Sequence, residues 1–232
     1  MTSRVSALLT ALVLVLCACS RNPDDSFVHN VRSLRPSVVL LTMKVPPEHK
    51  SDKYDEAYAT GTVIASGAWG SDILTVEHAI EGAWDMKVTI ENQRRVPASV
   101  VASDKGMDVA LVRADAPKLR VARLGTSAGL QDSLGREVGL LGYPIPDEFA
   151  DDDLGLATSL NTGRLSSVRK GALEVTLPIV PGESGGPVFL GDNGEIVGVA
   201  ESRFEDERSI GFALPIDDAK KFLHKNDSNH GF

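Results

Sequence analysis

Three side chains that can cooperate in acyl transfer occur along the chain in the order His78, Asp108, Ser184, separated by 30 and then 76 residues. Ser184 lies in Gly182-Glu183-Ser184-Gly185-Gly186-Pro187. Glycines on both sides of a serine let backbone N–H groups turn inward and approach a substrate carbonyl, as an oxyanion hole requires. A serine hydroxyl is a weak nucleophile until a base takes its proton, and histidine is the side chain that does so near neutral pH. His78 closes the apolar run Ile73-Leu-Thr-Val-Glu-His78. Asp108 opens another, Val109-Ala-Leu-Val112, where it can be held to accept a hydrogen bond. A carboxylate that orients a histidine beside a serine completes a catalytic triad.

Each segment alone has a plainer reading. Gly and Ser dominate ordinary turns, a strand-end histidine is often structural, and an Asp at a strand edge is usually a turn residue. The serine motif also fits the G-x-S-x-G elbow of α/β-hydrolases, which needs a strand before the serine and a helix after it. Here Pro187 and Val188-Phe189-Leu190 lead into a hairpin instead. The hydrolase order would also leave only His224 or His230, both in the tail. The other histidines, His29 and His49, are isolated, and no H-E-x-x-H occurs, so the pattern points to no metal and no cofactor.

These residues must be positioned by 232 residues carrying 24 Lys and Arg against 32 Asp and Glu, a net charge of -8. That balance argues against a nucleic-acid partner. The 42% of apolar residues suits a folded globule. The cysteines are Cys17 and Cys19, which excludes a thiol nucleophile or a disulfide framework in the rest of the chain. Met1 to Arg4 and the apolar run Val5 to Leu16 read as a signal peptide, too short for a hydrocarbon core that needs ~20 residues. Leu16-Cys17-Ala18-Cys19 resembles a bacterial lipobox. It implies cleavage after residue 18, lipidation of Cys19 and anchoring in the cell envelope, with Ser20 favouring the outer membrane.

Residues 19–25 read as a tether, and 26–125 as a helix and a first barrel carrying His78 and Asp108. Residues 126–224 read as a second barrel with Ser184 and a closing helix, and 225–232 as a tail. Short β-prone runs at 38–41, 60–65, 73–76, 86–90, 96–101 and 109–112 form one group of six. Those at 138–141, 157–160, 173–177, 187–190, 196–200 and 210–214 form another. No long helical pattern separates them, so the class is all-β, as two antiparallel barrels or sandwiches. Asp24 to Ser26 can cap a first helix that Pro36 ends, and Ile216, Ala219, Phe222 and Leu223 share one face of a last helix.

Taken together, the chain resembles the trypsin-fold (chymotrypsin-like) serine peptidases, and among them the bacterial HtrA/Deg branch. The resemblance covers roughly residues 26–224. It rests on Thr60-Gly-Thr-Val-Ile64, Leu74-Thr-Val-Glu-His78, Asp108-Val-Ala-Leu-Val112, Leu141-Gly-Tyr-Pro144, Gly182-Glu-Ser-Gly-Gly-Pro187, Gly194-Glu-Ile-Val-Gly198 and Ile210-Gly-Phe-Ala-Leu-Pro215. It implies two six-stranded antiparallel β-barrels, with short N- and C-terminal helices and an active site between the barrels. It further implies His78, Asp108 and Ser184 as catalytic residues and the N–H groups of Gly182 and Ser184 as oxyanion hole. Ile179, Phe204 and Ile210 would line an apolar pocket for aliphatic side chains of protein or peptide substrates. An oligomer is compatible with the branch.

Three departures qualify the resemblance. Glu183 stands where the branch usually has Asn and trypsins have an Asp that pairs with a freed N-terminal amine; its partner here is open, with nearby Arg or Lys as candidates and a misformed oxyanion loop as the alternative. The branch commonly carries PDZ domains after the peptidase, and only about 16 residues follow Ile216, so none is expected. Asp147, Glu148 and Asp151 to Asp153 crowd five acids into a stretch read as a solvated loop. Two alternatives remain: a catalytically weak relative acting as a protein-binding module, and an α/β-hydrolase-type esterase.

Overall fold

The computed structural model describes residues 23–47, 53–90, 93–151, 155–201 and 210–226. The signal peptide, Cys17, Cys19 and Phe204 therefore lie outside the described residues.

A helix α1 (Pro23–Leu34) leads into the first six strands. These are β1 (Val38–Val45), β2 (Asp55–Gly67), β3 (Gly70–Thr75), β4 (Trp84–Ile90), β5 (Arg94–Asp104) and β6 (Val109–Ala114). They close into a barrel in the order β1-β2-β3-β6-β5-β4. The second set is β7 (Glu137–Gly142), β8 (Ser159–Arg169), β9 (Ala172–Val175), β10 (Pro187–Leu190), β11 (Ile196–Glu201) and β12 (Gly211–Pro215). It closes as β10-β11-β12-β9-β8-β7. A short α2 (Pro146–Asp151) follows β7, and α3 (Ile216–Asn226) ends the described chain. Every paired strand is antiparallel, and closure leaves no open sheet edge. The two expected six-stranded barrels are thus present.

The apolar side chains sort into three cores. Val39, Leu41, Met43, Val63, Ile73, Val88 and Val112 fill the first barrel. Leu140, Leu165, Leu173, Val175, Val188 and Val197 fill the second. The third core joins the barrels: Val38, Leu74, Val76 and Leu111 meet Leu141, Phe189, Val199 and Leu214 there. Ile216, Ala219, Phe222 and Leu223 of α3 seal it, the face that the sequence pattern identified. Phe27 of α1 lies against Phe189, with ring centroids 5.8 Å apart. Because strands such as β1 are covered by a barrel interior on one side and this junction on the other, they read as continuous apolar runs.

Some boundaries differ from the pattern. The second run of the second set is expected at 157–160, whereas β8 spans Ser159–Arg169. Only Leu165 of β8 is fully buried, so the strand carries almost no apolar signal. The apolar run before His78 stops pairing at Thr75, and His78 opens a single 3-10 turn, His78–Ile80, closed by Ile80 N–H on the Glu77 carbonyl. The acidic stretch is not wholly a loop. Pro146 in the first turn and Asp147 and Glu148 beside the N-terminal dipole favour α2, while Asp152 and Asp153 lie outside the described residues.

Candidate active site

Barrel topology sets His78 beside Asp108. β3 and β6 are neighbours, with Thr75 opposite Ala110. The residues just past the end of β3 and just before the start of β6 therefore lie side by side. Asp108 has a left-handed backbone (φ 52°) that turns the chain into β6. Its Oδ1 accepts the backbone N–H of His78 at 2.8 Å, and its Oδ2 lies 2.7 Å from His78 Nδ1. An ionised carboxylate only accepts, so Nδ1 carries the proton and Nε2 is the free base of the neutral ring. The hydrogen bond to Asp108 raises the His78 pKa above its ordinary value, against the opposing effect of burial. Burial pulls the Asp108 carboxyl upward, but hydrogen bonds from the His78 side chain and backbone outweigh it and leave the group below its ordinary value.

Ser184 sits in the turn between β9 and β10 and is almost completely buried. Thr60 of β2 clamps this turn to the first barrel. Its N–H donates to the Ser184 carbonyl at 2.9 Å, and its Oγ1 donates to the Gly182 carbonyl at 2.7 Å while accepting Tyr143 N–H at 3.0 Å. The Thr60 carbonyl in turn accepts Thr75 Oγ1 at 2.8 Å. A chain of bonds thus runs from Ser184 through Thr60 to Thr75, three residues before His78. Fully buried threonines look like ordinary strand residues, and nothing in the pattern set Thr60 and Thr75 apart as a clamp.

The same clamp orders the backbone around Ser184. The N–H groups of Glu183, Gly185 and Gly186 are taken by the carbonyls of Val180, Ala200 and Glu183. Those of Gly182 and Ser184 donate to no backbone carbonyl among the described residues. Gly182 adopts φ 90°, and a Cβ there would lie 2.3 Å from the Tyr143 carbonyl oxygen. At Gly185 (φ 88°) a Cβ would lie 2.1 Å from the Thr60 carbonyl oxygen and 2.2 Å from Thr75 Oγ1. Gly185→Ala is therefore expected to destabilise the fold by about 3–5 kcal/mol, combining backbone strain with a clash against rigid barrel backbone. The urea midpoint measures this; a loss under about 1 kcal/mol would mean the junction yields easily.

Glu183 is fully buried and, among the described residues, none of the candidate Arg or Lys partners meets it. Its carboxylate accepts Asn161 Nδ2 at 2.9 and 3.1 Å and the Val180 N–H at 3.0 Å. Burial pushes the group up to about 7, against the lowering by these two donors. Of the expected pocket residues, Ile179 packs over Gly211, where a Cβ would lie 2.9 Å from its Cδ1, and the adjoining Ile210 is exposed.

Comparison with known proteins gives one consistent result. Residues 59–199 match the family described as trypsin-like peptidase domain. A putative serine protease, HhoB, of Synechocystis sp. is 30% identical over 189 residues, covering 76% of this chain and 41% of that protein. A probable periplasmic serine endoprotease, DegP-like, of Halomonas elongata is 29% identical over 187 residues, covering 75% and 36%. The solved structure of the serine endoprotease from Yersinia pestis superposes with a TM-score of 0.68 at 26% identity, covering 88% of this chain and 67% of that one. The chain spans less than half the length of these two curated relatives.

Proposed function

The chain belongs to the trypsin-like peptidase domain family, with HtrA/Deg serine proteases among its relatives, and on that premise we propose that it is a serine endopeptidase. His78, Asp108 and Ser184 are its triad, and it cleaves peptide bonds of protein substrates through an acyl-enzyme. The observation that carries this reading is the two-point grip of Asp108 on His78, at 2.8 and 2.7 Å. That grip leaves Nε2 as the basic nitrogen on the side away from Asp108.

In this reading Nε2 of His78 takes the Ser184 hydroxyl proton as the oxygen attacks the carbonyl carbon. Asp108 holds the ring and stabilises the imidazolium that forms. The N–H groups of Gly182 and Ser184 bind the oxyanion, each such donor being worth ~10²–10³ in rate. The imidazolium then gives its proton to the leaving amine, and water hydrolyses the ester by the same relay in reverse. The apolar side chains of Ile179 and Ile210 suit an aliphatic residue before the scissile bond, with Phe204 as a third wall of that pocket. The periplasmic relatives and the signal-peptide pattern support action in the bacterial cell envelope, with Cys19 as a lipid anchor at the outer membrane.

Incubation with unfolded casein tests the reading. Fragments from internal bonds are expected. Retention of intact casein without fragments would favour the protein-binding module instead.

A further inference from the structure

Glu183 is the residue between the two proposed oxyanion donors, and its environment is unusual. It is a fully buried carboxyl group that no cation among the described residues meets. Its contacts close a ring within the turn: the Glu183 N–H donates to the Val180 carbonyl at 3.0 Å, and the Val180 N–H donates back to Glu183 Oε2 at 3.0 Å. From outside the turn one side chain reaches in. Asn161, on β8, places Nδ2 2.9 Å from Oε1 and 3.1 Å from Oε2. The same amide nitrogen lies 3.3 Å from the Pro178 carbonyl oxygen, which only accepts, so the NH2 end of the amide faces the turn. Gly142 of β7 packs against the Glu183 side chain, where a Cβ would lie 3.1 Å from its Cγ.

We propose that Asn161 is a positioning residue for the reaction: acting through Glu183, it fixes the peptide units of Gly182 and Ser184 so that their N–H groups face the oxyanion. The inference rests on the serine-peptidase reading and adds to it the residue that holds the oxyanion turn. In a trypsin-like arrangement that task falls to an ion pair; here a neutral amide from the second barrel performs it. The paired bonds with Val180 tie the Glu183 carboxylate to its own backbone, so a contact at the carboxylate constrains the two peptides on either side of it. A donor displaced by about 1 Å costs ~10²-fold in rate, which is why a residue remote from the substrate can have a catalytic effect.

The arrangement also depends on protonation. Both Glu183 oxygens accept here, which suits the ionised form. The elements packed against the carboxylate are β7 through Gly142, β8 through Asn161 and the turn through Pro178 and Val180. Among the described residues none of them turns a titratable or charged side chain onto it, and burial, the Val180 N–H and the Asn161 amide are what act on it. Protonation puts a hydrogen where Asn161 and Val180 already donate, and one of those contacts is lost. With the group lifted to about 7, this happens as pH falls through neutrality, alongside protonation of His78. Activity should therefore fall with two protons on the acid side, one from each group.

The test is kcat and KM of the full chain on an aliphatic peptide substrate from pH 5.5 to 9, for wild type, Asn161→Ala and Glu183→Gln, with circular dichroism as the check on folding. Asn161→Ala is expected to lower kcat about 10–100-fold with KM within about twofold. Glu183→Gln removes one titration, so the acid limb of log kcat should drop from a slope approaching two to a slope of one. A folded Asn161→Ala with wild-type kcat, or a Glu183→Gln limb as steep as that of wild type, would overturn the proposal while leaving the serine mechanism intact. Should Asn161→Ala fail to fold, the Glu183→Gln limb decides alone. A wild type that turns over at no pH would instead sink the serine-peptidase reading, and this inference with it.

Discussion

Ser184→Ala is expected to lower kcat about 10⁶-fold on any peptide substrate, with KM and the unfolding midpoint nearly unchanged. The reasoning is chemical before it is structural. Without the hydroxyl no acyl-enzyme can form, and what remains is the binding and oxyanion stabilisation that the backbone supplies to attack by water, ~10³–10⁴ over the uncatalysed rate. The substitution removes one oxygen from a turn whose hydrogen bonds run through its backbone and the Glu183 carboxylate. The Ser184 carbonyl stays on Thr60 N–H and the Gly185 N–H stays on the Ala200 carbonyl, so the fold has no reason to change. Steady-state kinetics with a fluorogenic peptide reads the effect. A variant that keeps more than about a tenth of wild-type kcat would place the nucleophile elsewhere.

Asp108→Asn is expected to lower kcat about 10⁴-fold while leaving the protein folded. The exchange is isosteric, and an amide oxygen can still accept the His78 backbone N–H in place of Oδ1. The amide NH2 then faces Nδ1, which must become the acceptor, and the proton moves to Nε2, where a base is needed. The acid limb should move as well. Asp108 raises the His78 pKa above its ordinary value, so wild-type activity falls as pH drops through a point above that value. Loss of the carboxylate removes the largest cause of that shift, and the limb should move to lower pH. Unchanged kcat and an unmoved limb would mean that His78 does not act as the base.

Much of this arrangement was legible before any coordinates. Two groups of six apolar runs marked the two barrels, because strands buried on both faces announce themselves through Val, Ile and Leu. The His78, Asp108 and Ser184 segments stood out because each chemical residue adjoins an apolar run or a glycine pair. Less legible was whatever lacks an apolar signature. β8 is a polar, half-exposed strand with one fully buried side chain, so its extent, and Asn161 within it, did not show. The Asn161 contact with Glu183 joins residues 22 apart in sequence and depends on where β8 passes the turn, which no local pattern encodes. Arg or Lys was the natural guess for a buried acid, since buried charges are usually paired. The clamp of Thr60 and Thr75 was hidden for the opposite reason: both sit in strands where β-branched residues are ordinary.

The central claim, that Ser184 is a nucleophile activated by His78, is tested most directly by fluorophosphonate labelling of the full chain. The measurement is intact mass followed by peptide mapping, on wild type and Ser184→Ala in parallel. One adduct per chain is expected, on the peptide containing Ser184, forming more slowly as pH falls below the His78 pKa and absent from Ser184→Ala. An adduct on another residue, or equal labelling of both proteins, would contradict it.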